Sequence, residues 1–218
     1  MVLVGIPPIV ANATNNVAMW VGTLGSAHGY REEILAHRRL VAYALPAALV
    51  GSVIGAVLLL RTPPHLFERL IPWLLLAATA AFVAGPRLVR LRGGAAQPSP
   101  LTAWQIALQF AIAIYGGYFG AGIGLMTLAV LAFSGLRTMN EMNGVKNILT
   151  TAITGIAVIP FALAGVVRWP VAAAMAAAAM LGGYAGARFF RLLPSRLVRW
   201  SVIAIGLAMT TYFFVRPS

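Results

Sequence analysis

Long stretches of this chain are almost free of charge, and the run from Leu101 to Leu136 is the clearest of them. Such a run fits the bilayer interior, where a helix satisfies its own backbone hydrogen bonds and needs no water. Composition agrees: 61% of the residues are apolar and 9% charged, against roughly 25% charged in an ordinary soluble domain. A soluble fold of 218 residues would need a polar shell that this chain cannot supply. The sequence reads as an all-α polytopic membrane protein.

The net charge of +12 does not indicate nucleic-acid binding. The cations are 15 arginines and one lysine; most of the arginines sit in short loops between apolar runs, as they do where membrane spans meet lipid phosphates. No DNA-binding or RNA-binding motif accompanies them. The absence of cysteine excludes disulfides, thiolate metal sites and thiol nucleophiles. Three histidines, four glutamates and no aspartate leave little for catalysis, and neither His-Glu-x-x-His nor Gly-x-Ser-Gly occurs. The start, MVLVGIPP, lacks the charged and apolar regions of a secretory signal. The expectation is a protein that is not an enzyme and has neither a cofactor nor a metal.

Hydropathy marks seven segments: about Pro8 to Ala27, Leu40 to Leu60, Leu66 to Val89, Leu101 to Ser134, Asn140 to Val166, Pro170 to Phe190 and Arg196 to Phe214. A Gly/Pro/Gln/Ser linker at 93–100 separates a first half, 1–92, from a second, 101–218. The segment after the linker would make a helix of roughly 51 Å, too long for a hydrocarbon core of about 30 Å. Its glycines 116, 117, 120, 122 and 124 allow two readings. They break the helix, or Gly116, Gly120 and Gly124 line a close packing face.

The second half repeats the first. An offset of 131 places Asn12 on Asn143, Asn16 on Asn147, Thr23 on Thr154, Gly51 on Gly182 and Gly55 on Gly186. After one deletion, Arg61 meets Arg191, Pro64 meets Pro194 and Arg69 meets Arg199. Transporters are often built from such duplicated halves. The first half lacks a counterpart to the Gly-rich span, expected near position −30, so that either the natural start lies upstream or the span is lost. With every segment taken as one crossing, the basic residues divide eight against eight, and the positive-inside rule gives no orientation. A full crossing at the Gly-rich segment makes the halves parallel, and a re-entrant hairpin makes them inverted.

Two Asn-rich segments carry most of the polar chemistry, VANATNNVAMWVGTLGS from Val10 and MNEMNGVKNILTTAITG from Met139. Asn12 and Asn16 lie one helical turn apart, as do Asn143 and Asn147, and Thr23 and Thr154 continue the stripes. Unpaired amides in lipid cost several kcal/mol, so the stripes either bond between helices or face one central cavity. Lys146, the one lysine, sits inside a span beside them. Intramembrane cations cost about 2.5–3.5 kcal/mol on insertion scales and are tolerated where they face water or an anion. A glycine-broken helix adds free N–H groups and partial positive charge, which suits a small oxyanion. Trp73, Trp104, Trp169 and Trp200 read as interfacial anchors, and Gly51/Gly55 and Gly182/Gly186 as helix-packing pairs.

Together GIPPIVANATNNVAMWVGTLGSAHGYR, GSVIGAVLLLRTPP, YGGYFGAGIGLMTLAVLAFSGL and MNEMNGVKNILTTAITGIAV resemble the TauE/SafE family over nearly the whole chain. The resemblance implies a secondary transporter of small sulfur-containing anions, sulfite or organosulfonate, multi-pass in the cytoplasmic membrane. It implies two related halves and typically eight spans, from which this sequence, with about seven segments, departs by lacking the first Gly-rich span. The implied substrate region is Asn12, Asn16, Asn143, Lys146 and Asn147 with the backbone around Gly120, Gly122 and Gly124, and Thr150 and Thr154 complete the candidate set. The expected partners are the anion and membrane lipid, with a homo-oligomer left open and nucleic acid excluded. The alternative is a non-transporting membrane assembly subunit whose polar stripes are interhelical packing contacts.

Overall fold

A computed structural model describes residues 5–90, 102–136, 138–190 and 195–215, and every regular element among them is helical. In order these are α1 (Pro8–Gly29), α2 (Arg31–Ala36), α3 (Arg38–Arg61), α4 (Pro64–Arg90), α5 (Ala103–Tyr118), α6 (Ile123–Leu131), α7 (Met139–Leu163), α8 (Trp169–Phe190) and α9 (Ser195–Val215). Three of them, α3, α7 and the Pro64–Ala84 part of α4, are long and apolar enough by composition alone to cross a membrane. The helix α1 is 22 residues long, enough for roughly 33 Å, and is more polar because Asn12, Asn15 and Asn16 lie on it. Local chemistry sets the starts. Proline occupies the first turn of α1, where its missing N–H costs nothing. In α7 Thr138 and Glu141 close a reciprocal box, with Thr138 Oγ1 accepting from Glu141 N at 3.1 Å. The short α2 has no counterpart among the expected segments.

The long segment is broken. Residues 119–122 separate α5 from α6, and Gly120 and Gly122 take φ of +83° and +78°, a region L side chains rarely adopt. Trp104 near the start of α5 meets Phe133, just beyond α6, edge to face with centroids 5.8 Å apart. The pair is therefore a re-entrant hairpin that returns to the face it left. The break falls at Gly120 and Gly122, while close packing falls to Gly116 and Gly117 and not to a Gly116/Gly120/Gly124 face, because Gly120 has left the helix. At the crossing with α3, a Cβ on Gly51 would lie 2.7 Å from Phe110 O, one on Gly55 would run into the backbone of Ile114, and one on Gly117 into Ser52. Helices in lipid gain little from burying apolar surface, so close approach over small residues supplies the packing. Buried Ala44, Ala48 and Ala113 continue the contact toward Leu149 and Ile153 of α7, and Ser52 Oγ donates to Ile153 O at 2.6 Å.

Helices α1 and α7 run antiparallel. Thr14 Oγ1 accepts from Arg168 N at 3.1 Å, Trp20 lies against Gly155, and Tyr30 and Glu33 lie against Gly144, so that advancing along α1 means retreating along α7. Three helix starts, Pro8, Arg38 and Pro64, are each followed 131 residues later by another, Met139, Trp169 and Ser195. The packing follows the same pattern: α3 lies on α7, α8 on α1, and α4 on α9. The hairpin lies on α3 and α4, and among the described residues no such hairpin lies on α8. Gly182 and Gly186 fall in α8 where side-chain packing is outside the described residues, as are the 93–100 linker, Arg191 and Pro194.

Candidate functional site

Where α1, α7 and the hairpin tip converge they enclose a cavity of about 350 Å³. Its walls repeat the internal duplication. From α1 come Asn15, Asn16, Met19 and Thr23, and from α7 come Lys146, Asn147, Thr150 and Thr154. Each α7 residue stands 131 positions after its α1 counterpart. Because the two helices are antiparallel, the two sets run in opposite directions along the cavity wall, related by the duplication rather than placed side by side. Phe119 to Gly124 close one side, with Gly124 against the Lys146 stem; a Cβ there would lie 3.6 Å from Lys146 Cδ.

The lining holds one cation and no carboxylate among the described residues. Lys146 Nζ donates to Asn143 Oδ1 at 3.2 Å, which uses one of its three protons and leaves the others for a ligand. The helix α6 begins at Gly122 with no side-chain cap, so its N-terminal amides and partial positive charge face the same space. The hydroxyls of Thr23, Thr150 and Thr154 donate to carbonyls of their own helices, to Trp20 O at 2.8 Å, Lys146 O at 2.9 Å and Thr150 O at 2.9 Å. Asn16 is buried, and its Oδ1 has no partner among the described residues.

Of the expected set, Asn16, Gly120, Gly122, Gly124, Lys146, Asn147, Thr150 and Thr154 line the cavity. Asn12 and Asn143 stand behind it. Asn12 Nδ2 donates to Tyr118 O at 3.0 Å and so ties α1 to the last residue of α5, and Asn143 holds the lysine. Asn15, Met19, Phe119, Ala121 and Ile123 line it from outside that set, as does Thr23, which the sequence places on the stripe alone. The 131 offset applied to Lys146 and Thr150 finds Asn15 and Met19. No sequence signal separates Phe119 or Ala121 from ordinary lipid-facing residues.

The family model described as "Sulfite exporter TauE/SafE" matches residues 1–213. The chain is 25% identical over 219 residues to a "Probable membrane transporter protein" of Haemophilus influenzae, covering 96% of this chain and 82% of that protein. It is 25% identical over 224 residues to "Probable membrane transporter protein ORF9" of Sinorhizobium sp, covering 100% of this chain and 83% of that one. No solved structure matches it.

Proposed function

The chain belongs to the sulfite exporter TauE/SafE family of membrane transporters, not to an enzyme class, and on that premise we propose that it is a secondary transporter of small sulfur-containing anions, sulfite or an organosulfonate, in the cytoplasmic membrane. The observation that carries this reading is the cavity itself, with one lysine, an uncapped helix start, six amide or hydroxyl side chains in its wall, and no carboxylate among the described residues. Such a lining favours a monoanion of a few heavy atoms by charge and by hydrogen bonding. No nucleotide-binding motif is present in the sequence, so the driving force in this account is an ion gradient or the substrate's own gradient. Two related halves, 1–92 and 101–218, rocking about the paired stripes would expose the cavity alternately to the two sides.

Interhelical packing is a poorer account of the stripes. Among the described residues, the lining threonines and Lys146 make their side-chain hydrogen bonds within their own helices. The test is thermal stability of the purified protein against sulfite, sulfoacetate, taurine, sulfate and chloride at matched ionic strength. A ligand at 100 times its Kd stabilises the folded state by about 2.7 kcal/mol. The proposal expects a rise in Tm with a sulfur oxyanion that Lys146→Met abolishes. Equal rises in both proteins would move the binding site elsewhere, and a rise with chloride alone would change the substrate class.

A further inference from the structure

Arginine is distributed unevenly over the two ends of this bundle once the hairpin is taken into account. If the segment of α5 and α6 crossed the membrane, every element after it would change sides relative to every element before it. It does not cross, because Trp104 and Phe133 at its two ends are in contact. The end of α1, all of α2, the start of α3, the end of α4, both ends of the hairpin, the start of α7, the end of α8 and the start of α9 therefore share one face. His37 Nε2 lies 3.7 Å from Glu141 Oε2, which joins the residue after α2 to the start of α7 and shows that these two regions meet.

By sequence position, that face has Arg31, Arg38 and Arg39 around α2, Arg87 and Arg90 in the last turn of α4, Arg188 in the last turn of α8, and Arg196 and Arg199 in the first turns of α9. The opposite face carries Arg61, Arg69 and Arg168. The even division obtained by counting seven crossings becomes a clear excess on one side. Arginine and lysine in short loops near span ends stay on the cytoplasmic side, and this bias sets orientation.

We infer that the face bearing α2, the hairpin ends and the start of α9 is cytoplasmic, and that the α3–α4 and α7–α8 connections are on the opposite side. The reading rests on the chain being a membrane transporter and is independent of which anion it moves. Its consequence for the site is a polarity. Lys146 stands seven residues after Met139, roughly 10 Å along α7 from the cytoplasmic end, so the cationic end of the cavity is the one nearer the cytoplasm.

The absence of cysteine makes the test direct, because single cysteines can be placed in the native sequence. Leu35→Cys on α2, His65→Cys after α3 and Asn140→Cys at the start of α7 are exposed positions. Each is treated with a membrane-impermeant maleimide in right-side-out and inside-out vesicles, with labelling after denaturation showing that the thiol is present. The inference expects Leu35→Cys and Asn140→Cys to label in inside-out vesicles and His65→Cys in right-side-out ones. The reverse pattern overturns the orientation. Asn140→Cys labelling together with His65→Cys would mean that the hairpin crosses, which removes the arginine excess and overturns the inference too. Both results leave anion-dependent stability untouched and so can be told apart from failure of the transport reading.

Discussion

At the residue scale, Asn12 and Asn16 of α1 have opposite roles although they lie one turn apart. Asn12 pairs with Tyr118 O, so Asn12→Ala leaves a buried carbonyl unpaired and should cost about 1–3 kcal/mol, read as a lowered Tm. Asn16 carries an unpartnered Oδ1 in the cavity wall, so Asn16→Ala removes an unsatisfied group and should leave Tm nearly unchanged while abolishing the anion-induced rise. Equal destabilisation by both would make Asn16 a packing residue. At the hairpin tip, Gly122→Ala forces an L residue to a φ of +78° and sets its Cβ 3.2 Å from Ala78 Cβ. The backbone term alone is roughly 1–2 kcal/mol. In Gly124→Ala the new Cβ makes ordinary contact at 3.6 Å from Lys146 Cδ, so a thermal melt should rank the two, with Gly122→Ala the lower. Asn16 was legible in the sequence because an amide in an apolar span is costly enough to need a reason. Met19 was legible only through the 131 offset from Thr150, because a thioether in such a span needs no reason of its own.

At the scale of elements, apolar runs end where helices end: the segment from Pro170 to Phe190 and the helix Trp169–Phe190 differ by one residue. Hydropathy cannot see direction. A crossing and a hairpin through Leu101 to Ser134 have the same composition, and the Trp104–Phe133 contact that distinguishes them is tertiary. The helix α2 escaped notice because Arg31, Glu32 and Glu33 read as a loop flank rather than as one and a half turns of helix. Two substitutions test the hairpin. Gly55→Val pushes a side chain into the backbone of Ile114, and since α3 and α5 meet over backbone rather than flexible side chains, the protein should lose several kcal/mol or fail to fold. Trp104→Cys with Phe133→Cys should be bridged by a short bis-maleimide within one chain. Absence of that bridge in a protein that still melts cooperatively would refute the hairpin.

At the scale of the whole molecule, one number organises both the fold and the site. The spacing of 131 separates the starts of α1 and α7, of α3 and α8, and of α4 and α9, and it also relates the α1 and α7 residues that line the cavity. With α1 and α7 antiparallel, a duplication along the chain becomes an inverted pair in space, which is how transporters place a site at the bilayer midplane. The duplication was readable from the Asn and Gly pairs, and its inversion was not, because sense depends on whether one segment crosses. The account requires the anion to pass through the cavity at Lys146. Solute counterflow in proteoliposomes measures that passage without an imposed gradient of any coupling ion. Vesicles loaded with unlabelled sulfite should transiently accumulate labelled sulfite through the native protein, with accumulation lost in Lys146→Met. Accumulation at the native rate in the mutant would contradict the account.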